Sequence, residues 1–451
     1  MAVGKPRPPL PPGPYLVIGL ARSGVAAALA LRARGEEVIG CDAGAADDPI
    51  LRQAARRLSE AGVEVHLDAS GDVFAARAGT LIKSPGVPQT APAVQAARTR
   101  GVPVIGELEL AWRMLPNEFV AVTGTNGKTT TTEWVGHIHR EAGMPVAVAG
   151  NVGTPLSSLT EGERPDATVV CEASSFQLED TVEFSPEAGA LLNLSPDHLD
   201  RHPTYEDYVS AKLRMFARQG NDDIAVIPYD LGIEDIGGCA RRVTFGTEPG
   251  AEMAERAGHL WWDEEPLIAA EKLALPGAHN RQNAMAAAAL TLARGLDREA
   301  VRAGLETFKG VAHRLELIAE RGGVRFVNDS KATNVASTIV ALEAYPGGVH
   351  LIAGGRGKQQ DFSPLAPLVA GRCSAVYLIG EAADQLAAAL EPTGVPVCRS
   401  GDLEHAVVQA SAKARPRETI LLSPACASYD QYRNFEERGE HFRALVLKEL
   451  G

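Results

Sequence analysis

Short uninterrupted apolar runs recur along the 451-residue chain, each closed by a Gly- or Ser-rich turn and followed by an Ala/Leu-rich stretch of helical period. Such runs are candidate strands at 15–19, 37–41, 80–83, 119–123, 167–172, 188–193, 224–228, 324–328, 349–353, 375–379 and 419–423. A run that stays apolar instead of alternating suits a parallel strand covered on both faces. Strand, helix, strand in repetition therefore predicts an α/β fold of doubly wound, mostly parallel sheets. At about 150 residues per domain, the length predicts two to four domains. Three units separate: 1–107, with a Pro-rich, flexible leader over 1–14, then 108–310, then 311–451. The stretch 231–266 is poorly patterned, and no element is assigned to it.

Composition excludes some function classes. The net charge of -13 disfavours broad nucleic-acid binding, which needs basic surface. The six cysteines form no C-x-x-C pair and fit no zinc template, so they read as reduced thiols of a cytosolic protein. The N-terminus lacks the apolar core of a signal peptide, and no apolar run is long enough to span a bilayer. The expected setting is the cytoplasm, with no membrane partner.

The strongest motif is Thr123-Gly124-Thr125-Asn126-Gly127-Lys128-Thr129-Thr130, set between an apolar strand and a helix. Glycines let backbone N–H groups curl around phosphate oxygens, and the helix start adds positive potential. Lys128 can reach β- and γ-phosphates, and the Thr129 hydroxyl can ligate Mg²⁺. A glycine is usual where Val122 stands, so this is a variant phosphate loop. It predicts a central P-loop-type ATPase domain between two Rossmann-like domains.

Other polar clusters follow strands. Glu172, in Cys171-Glu172-Ala173-Ser174-Ser175-Phe176-Gln177-Leu178, can hold Mg²⁺ or serve as a cap or ion-pair partner. His198, in Ser195-Pro196-Asp197-His198-Leu199-Asp200, can ligate metal, contact phosphate or be structural, while Asp197 and Asp200 suit helix caps. By composition Lys212 is an ordinary surface lysine on a helix. The loops 328–334, 354–358 and 423–430 each follow a strand, where open α/β sheets bind ligands, and their Gly, Ser and Lys content suits an anionic ligand. The first unit has Gly19-Leu20-Ala21-Arg22-Ser23-Gly24 after a strand, Asp42 ending the next, and the turn Ser84-Pro85-Gly86-Val87. This is not G-x-G-x-x-G, so a nicotinamide dehydrogenase is disfavoured.

Taken together, TGTNGKTT, GNVGTP, ASSFQLE, SPDHLDRH, AKLR, HNRQNA, HRLE, NDSKATN and SPACASYDQYRNFEERG resemble the Mur ligase family, in its order and over nearly the whole chain. The last two motifs resemble the branch that adds D-glutamate to UDP-N-acetylmuramoyl-L-alanine in peptidoglycan synthesis. The resemblance implies an ATP-dependent amide ligase that works through an acyl-phosphate and as a monomer. It implies that Gly124, Thr125, Asn126, Gly127, Lys128, Thr129, Thr130, Asn280, Arg314, Asp329 and Lys331 bind ATP. It further implies two Mg²⁺ ions, on Thr129, Glu172, His198 and a CO₂-derived carbamate of Lys212. The catalytic set would be Lys128, Glu172, His198 and Lys212. Ser23, Asp42, Ser84, Gly86 and Asn151 would hold the UDP-muramoyl substrate, and Thr333, Lys358, Ser428 and Phe435 the D-glutamate. Arg356 stands where the family often has an acid, and Ala43-Gly44 follow Asp42 where a Thr-Arg pair is expected. Competing readings are a folylpolyglutamate synthase-like or other muramoyl-peptide ligase, and a P-loop switch that hydrolyses ATP without ligation.

Overall fold

The computed structural model describes residues 4–448 apart from 161, 163, 199, 200, 358 and 359. Among these, three α/β sheets form. In the first, β1 (Tyr15–Ile18), β2 (Val38–Cys41), β3 (Glu64–His66), β4 (Thr80–Lys83) and β5 (Val104–Gly106) run parallel in the order β3-β2-β1-β4-β5. The four-residue runs of β1, β2 and β4 are wholly buried, which is why they read as continuous apolar stretches.

The central sheet holds β6 (Phe119–Thr123), β7 (Val146–Gly150), β8 (Thr168–Glu172), β9 (Ala188–Leu191), β10 (Ile224–Pro228), β11 (Arg241–Gly246), β12 (Met253–Arg256), β13 (His259–Trp262) and β14 (Glu265–Ala269). Their order is β14-β13-β12-β11-β10-β9-β6-β8-β7. Pairing is parallel except at β12–β13 and β13–β14. The stretch left unassigned from sequence thus contains β11 to β13 and the start of β14. These strands are short and mix charged with aromatic residues, so neither period stands out.

The third sheet has β15 (Glu316–Arg321), β16 (Val324–Asn328), β17 (Val349–Gly354), β18 (Cys373–Ile379), β19 (Val397–Gly401) and β20 (Thr419–Leu422), in the order β15-β16-β20-β17-β18-β19. Only β15 is antiparallel to its neighbour. The first two sheets share one compact unit ending at Phe308, and the third forms a second unit beginning at Lys309. Each unit has its own apolar core.

The leader expected to be flexible is packed from residue 4 onward. Arg7 lies 4.7 Å from the centre of the Trp112 ring and 3.1 Å from the Glu187 carboxylate, and donates to Asn117 O at 2.6 Å. Lys5 Nζ donates to Asp223 and Ser185. A Pro-rich segment forms no regular element, yet two cations with buried acceptors hold it. Among the described residues no helix is long and apolar enough to cross a membrane, and no disulfide joins the cysteines.

Candidate functional site

Parallel pairing brings three polar loops to one edge of the central sheet. Val122 of β6 is in register with Glu172 of β8 and with Ala190 of β9, so the chain segments leaving these strands emerge side by side. Gly124 leaves β6 at φ 151°, and Gly127 enters the Lys128–Glu141 helix at φ 82°. A Cβ on Gly127 would sit 2.2 Å from the Asn283 side-chain oxygen. That position requires glycine both for its left-handed backbone and for the close approach of the helix Ala278–Ala293.

Neighbouring loops hold the turn in shape. Asn193 Oδ1 accepts from Asn126 N at 2.8 Å, and its Nδ2 donates to Asn126 O at 3.1 Å. Thr125 Oγ1 lies 3.0 Å from the Tyr208 hydroxyl and accepts from Ser195 N at 3.0 Å. Lys128 Nζ donates to Gly124 O at 3.0 Å and Thr125 O at 2.9 Å. Thr129 and Thr130 are buried in the first turn of the helix. The early N–H groups of that turn have no intrahelical acceptor, and the helix dipole adds to their attraction for an anion.

Lys212 is not the surface lysine that composition suggested; it is 1% exposed. Its Nζ donates to Gly124 O at 2.8 Å, the carbonyl that Lys128 also contacts, and lies 4.5 Å from the centre of the Tyr208 ring. Burial, aided by the charge of Lys128, pulls its ammonium down to about 7 against the opposing pull of Asp197 and Glu172. Two lysines thus converge on one loop carbonyl, with two carboxylates within electrostatic reach.

Glu172 ends β8 at 3% exposure and accepts from Asn151 Nδ2 at 2.9 Å. A Cβ on Gly150 would lie 2.3 Å from Glu172 O, so the GNVG turn packs here only because glycine occupies it. His198 holds a left-handed φ of 53°, a strained state for a residue other than glycine. Its ring is 4.7 Å from Phe176, and its neighbour Asp197 does not cap a helix but accepts from His198 N. Among the described residues no three His, Cys, Asp or Glu side chains converge as a metal cage. The donors at this edge are a carboxylate, an imidazole, a hydroxyl and a buried amine, a set that suits a hard cation once the amine carries oxygens.

In the first sheet, Gly19 through Gly24 open the Arg22–Ala33 helix, where Ser23 lies in the first turn. Asp42 accepts from Leu20 N at 2.6 Å and from Gly44 N at 2.8 Å, so its carboxylate is committed to shaping that loop. Ser84 Oγ donates to Gly19 O at 2.6 Å, and Gly86 is exposed at the tip of its turn.

In the unit from Lys309 onward, Asp329 is buried between Ser423 Oγ, which donates at 2.8 Å, and Leu315 N at 3.2 Å. Burial pushes its carboxyl up to about 7, against these hydrogen bonds and the charges of Arg314 and Lys331. Thr333 lies just beyond, its N–H donating to Lys331 O at 2.8 Å. Ser428 is buried, and Phe435 opens the Phe435–Lys448 helix while accepting from Ser330 Oγ through its carbonyl. Arg356, where the family often has an acid, is exposed and paired with Glu381. Lys358 lies outside the described residues. Asn280 donates to Pro276 O at 2.8 Å at the start of its helix.

Three family models match in sequence order: a "Mur ligase MurD-like, N-terminal domain" over residues 14–106, a "Mur ligase middle domain" over 122–291, and a "Mur ligase, glutamate ligase domain" over 313–426. The UDP-N-acetylmuramoylalanine–D-glutamate ligase of Acidobacterium capsulatum is 42% identical over 449 residues, covering 97% of this chain and 96% of that one. The enzyme of the same name from Pelotomaculum thermopropionicum is also 42% identical, over 96% of this chain and 97% of its own. Among solved structures, the UDP-N-acetylmuramate–alanine ligase of Thermotoga maritima matches with a TM-score of 0.59 at 20% identity, over 97% of this chain and 100% of that one.

The chain belongs to the Mur ligase family.

Two residues of this Mur ligase that sequence reasoning did not single out stand at the site edges. Asn283, in the HNRQNA motif, faces the missing Cβ of Gly127. Arg438, 1% exposed, donates to Ser330 Oγ, Ser330 O and Cys426 O, so one guanidinium ties two loops of the third sheet together. Burial lowers it to about 10. The signal for both was present: an amide one helical turn beyond the expected Asn280, and an arginine inside a motif already quoted.

Proposed function

We propose that this chain is an ATP-dependent ligase that adds D-glutamate to UDP-N-acetylmuramoyl-L-alanine through an acyl-phosphate, in peptidoglycan precursor synthesis. The observation that carries the chemistry is the convergence of Lys128 and Lys212 on Gly124 O, at a glycine turn that opens a helix. The choice of D-glutamate is supported by full-length similarity to enzymes of that name.

In this reading the turn Gly124–Thr130 cradles the ATP phosphates. Lys128, now held by its own loop carbonyls, turns to the β- and γ-phosphates and offsets their charge. The carboxylate of the UDP substrate attacks the γ-phosphorus, the bond to the ADP oxygen breaks, and an acyl-phosphate forms. The amine of D-glutamate attacks the acyl carbon, loses a proton, and phosphate leaves. Two Mg²⁺ ions, held by Thr129 and Glu172 and by His198 and a carbamate on Lys212, would supply charge neutralisation. The buried, downshifted Lys212 favours the neutral amine, which is the form that adds CO₂. Asn151 reaches the muramoyl group beside Glu172, while Ser23, Asp42, Ser84 and Gly86 form the UDP end. Asn280, Arg314, Asp329 and Lys331 surround the nucleotide, and Thr333, Lys358, Ser428 and Phe435 take the D-glutamate. The domains divide at 107/108 and 310/311, and the enzyme works as a cytoplasmic monomer on small molecules.

The test is phosphate release from ATP with UDP-N-acetylmuramoyl-L-alanine, Mg²⁺ and a panel of amino acids. Release that depends on D-glutamate is expected. Release independent of any amino acid, or dependent on a different one, would overturn the reading.

A further inference from the structure

One buried charge network joins the first sheet to the central sheet, and none of its members has a role in the chemistry above. Lys83, the last residue of β4, is fully buried. Its Nζ donates to Val87 O at 2.8 Å and lies 2.8 Å from Asp180 and 3.6 Å from Glu179, both on the segment that follows the Ser175–Leu178 helix of the central domain. Arg201 comes from the other side. Its guanidinium donates to the same Val87 O at 2.8 Å, pairs with Glu179, and lies 5.1 Å from the centre of the Phe176 ring. That ring in turn packs 4.7 Å from His198. Gln89 adds a bond to Asp180 at 2.8 Å.

One backbone carbonyl therefore receives a cation from each domain, and Glu179 sits between the two cations. Val87 O belongs to the turn that begins at Ser84, whose hydroxyl is bonded to Gly19 O. Arg201 N and His202 N both donate to His198 O, so the backbone at Arg201 is also bonded to that of His198. A short path of paired charges thus runs from the 84–87 turn to the histidine loop.

We propose that Lys83, Glu179 and Arg201 are positioning residues that lock the 84–87 turn to the His198 loop, so that the UDP-substrate carboxylate and the phosphoryl-transfer groups are set in one register. The inference rests on the ligase reading for its kinetic arm. A largely buried ion pair adds little net stability, and fixing geometry is the role we assign to this one. None of these residues is among those assigned above to ATP or to the amino acid, so loss of the network is expected to act on the UDP substrate.

The experiment compares Arg201→Met, Arg201→Lys and Lys83→Met with the unmodified full-length chain. Arg201→Met is expected to raise KM for the UDP substrate about tenfold and to lower kcat, with KM for ATP and D-glutamate moving by less than about twofold. Arg201→Lys, which keeps the charge, recovers a large part of the loss. Amide exchange is the second readout. Arg201→Met speeds exchange across 84–89, and Lys83→Met speeds it across 193–198, each effect appearing in the other domain. Exchange changes confined to the mutated segment, or KM effects shared equally by ATP, would overturn the proposal. Should the unmodified chain release no D-glutamate-dependent phosphate, the ligase reading falls, while the exchange arm still decides whether the two loops are locked together.

Discussion

The phosphate loop of the central sheet and the Gly19–Gly24 loop of the first sheet share a plan: buried strand, glycine turn, helix start. Both require glycine, since a Cβ on Gly24 would lie 1.8 Å from Gly19 O, closer still than the 2.2 Å clash at Gly127. They differ in what their polar groups do. In the first loop Asp42 takes Leu20 N, Ser84 takes Gly19 O, and Gly19 N goes to Cys41 O. In the central loop two lysine side chains converge on Gly124 O. Both turns are braced by neighbouring residues, and the central one adds two lysine nitrogens that the first lacks. In the proposed function it is these added lysines, not the backbone shape that the two loops share, that suit the central loop to phosphoryl transfer.

The comparison breaks most severely at Lys212. Lys212→Ala should lower turnover by about a hundredfold or more, the scale of losing a group that organises a metal site. A carbon-13 carbonate-labelled sample should show a carbamate resonance that this variant lacks; a variant with full activity would remove Lys212 from the site. Gly127→Ala comes next. It combines a left-handed cost of ~1–2 kcal/mol with displacement of Asn283, and should weaken ATP binding, measured by calorimetry, by roughly ten- to a hundredfold. Unchanged ATP affinity would mean that the turn does not meet the phosphates.

Asp42→Asn sharpens the contrast. It removes one of two acceptor oxygens from a loop that holds its shape by them, at about 1–3 kcal/mol for a donor left unmet. The expected result is a raised KM for the UDP substrate with KM for ATP unchanged. Equal effects on both would deny the division of labour between the loops.

How much of this was readable beforehand follows from where each signal lives. The strands β6, β8 and β9 and the phosphate loop were legible because a continuous apolar run followed by glycines is a local pattern. Lys212 was not legible from pattern: its helix, Tyr205–Leu213, carries Glu206, Asp207 and Lys212 on different sides, and the carbonyl that its ammonium meets, Gly124 O, lies far away in sequence. Arg7 was lost in a Pro-rich leader because its acceptor, Glu187, lies far along the chain. The strands β11 to β14 were missed because short strands near a sheet edge, with partly exposed faces, carry little periodic signal.

The smallest expected effect concerns Asp329. Burial raises its carboxyl from 3.8 to about 7, so between these values the folded unit holds a proton that the unfolded chain has released. Stability must therefore fall as pH rises through that window and stay lower above it. Asp329→Asn removes the penalty, so its melting temperature relative to the unmodified chain should be higher at pH 8 than at pH 5, by a few degrees on the order expected for a domain of this size. A difference independent of pH would show that the carboxyl is ionised throughout.

The most direct test of the central idea is a single-turnover measurement of ADP formation with ATP, Mg²⁺ and UDP-N-acetylmuramoyl-L-alanine, in the unmodified chain and in Lys128→Ala. The unmodified chain should give a rapid burst of ADP and the variant none, with both folded by circular dichroism. A burst of equal size and rate in Lys128→Ala would contradict the assignment of this loop to the phosphates.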